Sequence, residues 1–210
     1  MKINYLTLSI LSLTAVSLFS CSMEQKEGQE AGKTPATEEV ASIQEISSDI
    51  DLQSSVITWA GTMIGVYTHT GTMAFSAGKI QAEGEKVKGG SFTVDMTSIK
   101  TTDDNYDVSN HKTPEKLIGH LSSPDFFDVA DHPTASFEIS GSEGNRVLGK
   151  LTIRGITHEE TVENVSYNET ENSWTGKLVF DRKKYDVVWD SPMKEMVLSD
   201  SIELNITVSI

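Results

Sequence analysis

Ile202-Glu203-Leu204-Asn205-Ile206-Thr207-Val208-Ser209-Ile210 alternates without a break. Ile202, Leu204, Ile206, Val208 and Ile210 fall on one side; Glu203, Asn205, Thr207 and Ser209 fall on the other. A period of two is the mark of an extended strand with one apolar and one wet face. The same period recurs upstream. Phe92, Val94 and Met96 alternate with Thr93, Asp95 and Thr97, and Val147, Leu151 and Ile153 alternate with Leu148, Lys150, Thr152 and Arg154. Turn signals stand between such runs at Glu83-Gly84-Glu85, Gly144-Asn145 and Asn168-Glu169-Thr170-Glu171-Asn172. Many strands with short antiparallel links predict an all-β sandwich or barrel over residues 52–210. One segment breaks the pattern. Thr113 offers an N-cap, Pro114 a first helical position, Glu115 an acid in the first turn, and Leu117 and Leu121 share a face. This predicts a short helix that crosses or closes one end, with Phe126 and Phe127 tucked inward beside it.

Composition narrows the function. The chain has 31 acids against 17 bases, a net charge of -14, which repels phosphate backbones and disfavours nucleic-acid partners and polybasic membrane docking. A single cysteine excludes an intrachain disulfide framework and any multi-cysteine metal site.

That cysteine stands after a basic start at Lys2 and an apolar run through Leu6, Leu8, Ile10, Leu11, Leu13, Val16, Leu18 and Phe19. Such a segment describes an export signal over residues 1–20. Leu18-Phe19-Ser20-Cys21-Ser22 looks like a bacterial lipobox, with cleavage before Cys21 and acylation of its thiol, although Phe19 stands where a small residue is usual. Two or three acyl chains at about 0.8 kcal/mol per buried methylene anchor a chain stably. The competing reading is an ordinary secretory signal that leaves a free thiol. Residues 22–51 hold eight acids, two bases and no aromatic residue, so residues 21–51 are expected to be the lipidated cysteine and a disordered acidic tether.

Catalytic machinery is sparse. Asp103-Asp104-Asn105-Tyr106-Asp107 starts like a calcium loop, but Val108 replaces the glycine and Pro114 the glutamate that such a loop requires. His69, His111, His120, His132 and His158 show no metal-ligand spacing, and no nucleophile elbow, phosphate loop or dinucleotide fingerprint is present. The residues point to no enzyme, no metal and no cofactor.

Several ordered blocks resemble the YceI-like family of bacterial periplasmic proteins. They include Thr58-Trp59-Ala60-Gly61, Thr68-His69-Thr70-Gly71, Val94-Asp95-Met96-Thr97-Ser98-Ile99 and His120-Leu121-Ser122-Ser123-Pro124-Asp125-Phe126-Phe127-Asp128-Val129. His132-Pro133-Thr134-Ala135-Ser136-Phe137, Gly149 to Thr157 and Phe180-Asp181-Arg182-Lys183-Lys184-Tyr185 follow in order. The resemblance implies an eight-stranded antiparallel lipocalin-like barrel that binds a polyisoprenoid or other long-chain lipid. Phe92, Val94, Met96, Phe137, Leu151 and Ile153 would line it, with Leu121, Phe126 and Phe127 at the helical cap. His69, Asp95 and Arg182 are the polar residues of the matched blocks, each a candidate for a head group or for a structural ion pair. Periodicity alone leaves a solidly packed core and a lipid cavity both open and favours the packed core, whereas the resemblance favours the cavity. The resulting expectation is a lipid carrier in the cell envelope, held through Cys21 to the outer membrane facing the periplasm or the cell surface. A packed envelope interaction lipoprotein and a lipid-modifying enzyme are the alternatives, and a homodimer is a further candidate state.

Overall fold

The computed structural model describes residues 45–107, 109, 112–191 and 196–210. Nine strands follow in order: β1 (Glu45–Asp49), β2 (Val56–Met63), β3 (Tyr67–Glu83), β4 (Lys86–Thr101), β5 (Thr134–Glu143), β6 (Arg146–Ile153), β7 (Ile156–Asn168), β8 (Ser173–Asp181) and β9 (Leu198–Ser209). Helix α1 (Pro114–Ser122) lies between β4 and β5, and a 3-10 turn (Arg182–Tyr185) follows β8. All pairings are antiparallel. The order β3-β2-β9-β8-β7-β6-β5-β4 closes on itself through β3–β4, giving an eight-stranded barrel with β1 added outside the ring. Closure removes the open edges a free sheet would present.

The alternating runs sit where their period requires. In β9, Ile202 faces Phe180 of β8 and Leu204 faces Trp59 of β2, and both are buried, whereas Glu203 and Asn205 are exposed. Ser209 departs from its expected wet face. The turn at residues 51–55 covers it: the N–H of Asp51 donates to the Ser209 carbonyl at 2.8 Å, and the Ser209 N–H donates to Ser55 Oγ at 3.0 Å.

Among the described residues the first strand, β1, lies within the stretch expected from composition to be a tether. β2 covers β3 only from Tyr67 to Met73, which leaves the far stretch of that edge unpaired. β1 fills it, with Glu45 opposite Glu83 and Asp49 opposite Lys79. The ordering entropy is offset by ladder bonds to a partner far along the chain, which local composition does not register. Residues 1–44, including the expected signal segment, Cys21 and most of the expected tether, lie outside the described residues, as does His111.

The two ends of the barrel differ. At one end the links β3–β4, β5–β6 and β7–β8 are short, and Trp174 crosses beneath them to donate its indole N–H to the Glu85 carbonyl at 2.9 Å. The other end carries the β2–β3 hairpin, the two-residue β6–β7 turn and both long connections, 102–133 and 182–197. In the β6–β7 turn Arg154 and Gly155 have φ of 50° and 73°, the pair of left-handed residues a type I′ turn demands. Helix α1 forms as its sequence predicts: Thr113 is the N-cap, accepting from the Lys116 amide, and Leu121 is buried. Phe126 is buried behind it and Phe127 half-buried.

Two strand glycines let large rings lie flat against the wall. A Cβ on Gly71 would stand 2.4 Å from the Trp59 ring and 1.8 Å from the Lys100 carbonyl oxygen; one on Gly149 would stand 2.4 Å from the Phe137 ring.

Candidate functional site

The barrel is hollow. A cavity of about 440 Å³ lies within the ring and reaches Leu117, His120 and Leu121 of α1, within the range of small-molecule sites. Its wall comes from strands all round the ring, because every second residue of each strand points inward. Phe92, Val94 and Met96 of β4, Phe137 of β5, and Leu151 and Ile153 of β6 all face it, together with Leu121, Phe126 and Phe127 at the cap. The packed-core alternative left open by periodicity is therefore not what these residues build. Among the described lining residues there is no carboxylate, and Lys112 is the single ammonium.

The three polar candidates separate. His69 lines the cavity. Its Nδ1 lies 3.0 Å from Asp103 Oδ1, and its ring lies beside Tyr67 and stacks on Tyr106. Asp95 does not line the cavity. It caps its own strand turn, its Oδ1 accepting from the Thr97 amide at 2.8 Å and the Thr97 hydroxyl at 2.6 Å. The alternation of Val94, Asp95 and Met96 requires this, since two inward neighbours turn the middle residue outward. Arg182 does not line it either. It is fully buried in the wall and serves as a clamp: Nε donates to the Ser199 carbonyl, Nη1 to the carbonyls of Val187 and Trp189, and Nη2 to Asp200 Oδ1.

The Asp103 loop, which starts like a calcium site, is used internally. The amides of Thr70 and Asn105 donate to Asp103 at 2.8 and 2.9 Å. Burial raises this carboxyl, but those amides and His69 outweigh it and hold Asp103 below its ordinary value. A carboxyl depressed in the folded state contributes stability above its unfolded titration range, and that stability is lost as pH falls through the folded value. Asp103→Asn is expected to cost about 2 kcal/mol at pH 7, a drop of roughly 4–8 °C in Tm. The gap should shrink as pH falls below about 4. A Tm difference that stays constant from pH 7 to acid would contradict this role. Among the described residues no three His, Cys, Asp or Glu side chains converge as a metal would need.

The cap is held by the β6–β7 turn. Arg154, at the β6–β7 turn, donates Nη1 to the carbonyls of Pro124 and Phe126, and its Nη2 lies 3.6 Å from Asp186. The segment after α1, which leads into β5, is thus tied to the neighbouring β6–β7 turn. Behind it the His120 ring packs edge-on against Trp189 at 4.8 Å and Phe126 at 5.3 Å. Burial lowers the His120 pKa, partly opposed by Asp125, so the imidazole is neutral at pH 7.

Several lining residues escaped the sequence reading. Trp59 follows Ile57 at strand spacing, a signal obscured by Ala60-Gly61 immediately after. Trp189 sits in a segment with no periodicity and lines the cavity with its carbonyl held by Arg182 and its ring against His120.

Comparison with known proteins bears on this site. A UPF0312 protein of Staphylococcus epidermidis is 31% identical over 108 residues, 48% of this chain and 63% of that one. A UPF0312 protein of Staphylococcus aureus is 32% identical over the same shares. The chain thus spans less than two thirds of the length of these relatives. Among solved structures, Burkholderia cenocepacia BcnA superposes with a TM-score of 0.56 at 22% identity, covering 76% of this chain and 98% of that one. A polyisoprenoid-binding domain from Saccharophagus degradans gives a TM-score of 0.47 at 10% identity, covering 76% and 95%. The model of the YceI-like domain matches residues 49–210, which are β2 to β9 with the end of β1, so the barrel and its cavity are what the match spans. On that match, the chain belongs to the YceI-like domain family.

Proposed function

We propose that the barrel binds a long-chain hydrophobic ligand, of the polyisoprenoid or a similar lipid class, and carries it within the cell envelope as a lipoprotein held at Cys21. The observation that carries this reading is the apolar cavity of about 440 Å³ inside the ring, with α1 residues among its lining. A chain threaded into such a space leaves water without needing directional contacts. At about 0.8 kcal/mol per methylene, roughly fifteen buried carbons contribute about 12 kcal/mol gross, part of which offsets the ordering of a flexible chain. What remains makes release slow, so delivery requires the α1 cap to move. The Arg154 contacts to Pro124 and Phe126 are the ties that would have to break.

Binding rather than catalysis is the reading the lining supports. The His69–Asp103 pair is the feature an enzyme would use, yet its carboxylate is already committed to two backbone amides, and the surrounding wall is hydrocarbon.

Carriage is tested by moving a fluorescent prenyl probe between donor and acceptor vesicles with the full-length chain present. Faster transfer than spontaneous exchange supports it, and an unchanged rate with a tightly bound probe would reduce the function to storage. Palmitate labelling of the wild-type chain, lost in Cys21→Ser, tests the anchor separately.

A further inference from the structure

Three aliphatic residues stand in solvent at one corner of the barrel: Ile64 and Val66 in the β2–β3 turn and Val197 just before β9, each more than half exposed. The Ile64 N–H donates to the Val197 carbonyl at 2.8 Å, which joins the turn to the neighbouring segment. We propose that this corner is a membrane-docking surface, seated on the lipid bilayer from which the cavity takes its cargo. The inference rests on the reading of the barrel as a lipid-binding site and adds the surface through which it is loaded.

Folding does not require apolar residues here. The Val66 N–H closes the turn on the Met63 carbonyl at 3.0 Å, and Gly65, with φ of 72°, supplies its left-handed position. Ile64 occupies a place where proline and polar side chains are the usual occupants. The turns at the opposite end follow that usage: Glu83-Gly84-Glu85, Glu143-Gly144-Asn145 and Asn168 to Asn172 are polar and acidic. Residues 52–78, which contain β2, the turn and most of β3, hold no Asp, Glu, Lys or Arg in a chain of net charge -14. The rung below the turn is likewise uncharged, with the Thr62 and Thr68 hydroxyls 2.9 Å apart. An uncharged tip enters head groups without stripping water from an ion, and acidic turns are repelled by anionic lipid. The loop at Asp103 is bonded to Thr68 and Thr70, behind the turn along β3, which confines the contact to the corner.

The corner also continues the cavity wall. Met63 and Tyr67, which bracket the turn, line the cavity, and so do Met196 and Leu198 on either side of Val197. Docking there sets the bilayer against residues whose neighbours in both segments already face the cavity, which shortens the passage of a lipid chain through water. A second copy of the chain is the competing occupant. Three side chains fall far short of the roughly 800 Å² per partner that a stable interface buries. Two copies would also carry the same negative charge. A bilayer sets no such threshold, since binding to it grows with whatever apolar area it buries.

The test uses the full-length Cys21→Ser chain with one introduced thiol, Val66→Cys or Glu169→Cys, labelled with the environment-sensitive fluorophore NBD. Vesicles of phosphatidylethanolamine and phosphatidylglycerol are then added. Each label reports its own surroundings, so attachment through any other segment does not imitate the result. The label at 66 is expected to shift to the blue, brighten at least about twofold and be quenched by lipid-borne nitroxide, while the label at 169 stays open to aqueous iodide. Ile64→Asp should abolish the change at 66 and slow loading of a prenyl probe from the vesicles about tenfold. Ile64 does not line the cavity, so probe affinity measured without vesicles should be unchanged. Ile64→Ser gives a milder form of the same loss, and circular dichroism confirms the fold of both. A label at 66 that stays aqueous would overturn the proposal, as would loading that Ile64→Asp leaves at full speed. A blue shift that grows with protein concentration in the absence of vesicles would also overturn it, by assigning the corner to a second copy. If no chain takes up the probe, the lipid-binding reading itself fails, and the label at 66 still decides docking.

Discussion

Replacing Ala135 with tryptophan is expected to abolish lipid uptake and leave the barrel folded. Ala135 sits on β5 opposite Val94 of β4, is buried, and lines the cavity. Its methyl group is among the smallest side chains facing the hollow, so an indole there extends into empty space. Overpacking normally costs about 1–3 kcal/mol because neighbours must move aside. Here the cavity absorbs the added volume, so Tm should move by less than about 3 °C or rise. The indole takes the space the ligand chain needs. Affinity for a twenty-carbon prenyl probe should fall at least about 100-fold, or roughly 2.7 kcal/mol. Uptake at wild-type affinity by a folded Ala135→Trp chain would place the ligand outside the barrel.

The second large effect is on stability. Arg182→Met should lower Tm by about 6–20 °C, from a loss of about 3–5 kcal/mol. The guanidinium is fully buried and satisfies carbonyls of Val187, Trp189 and Ser199 at 2.6, 2.9 and 3.1 Å, with Asp200 Oδ1 at 3.2 Å. Methionine fills part of the volume and removes the donor from the three carbonyls, while Asp200 keeps Lys183 Nζ at 2.9 Å. Arg182→Lys should rescue little, since one ammonium cannot reproduce a planar fork serving four oxygens. Trp189 loses its anchor, so probe affinity should weaken as well. A Tm within about 3 °C of wild type would show that the clamp is dispensable.

The regular part of the fold was legible because its signals are local. β9 announces itself by unbroken alternation, β4 and β6 by shorter alternating runs, and α1 by Thr113, Pro114 and Glu115 at its start. The apolar half of the site followed from the same alternation: the inward positions of a small barrel are its lining, and Phe92, Val94, Met96, Phe137, Leu151 and Ile153 all face the cavity. What was not legible depends on distant partners. β1 owes its strand to an edge of β3 that β2 leaves uncovered. Arg182 reads like any basic residue at a strand end, and its burial depends on carbonyls from the loop and strand that follow. Asp95 was placed by its block when its own alternation already turned it outward. That His120 and Trp59 each hold an unpartnered nitrogen is a fact of packing, and no pattern of residue types encodes it.

The central claim is that the cavity holds a lipid. The most direct test is native mass spectrometry of the full-length Cys21→Ser chain, purified from the cell envelope without detergent, followed by organic extraction of whatever is bound. The expected result is a discrete added mass that extracts as a long-chain amphiphile and disappears in Ala135→Trp. An unliganded mass, together with no uptake of added prenyl lipids, would contradict it.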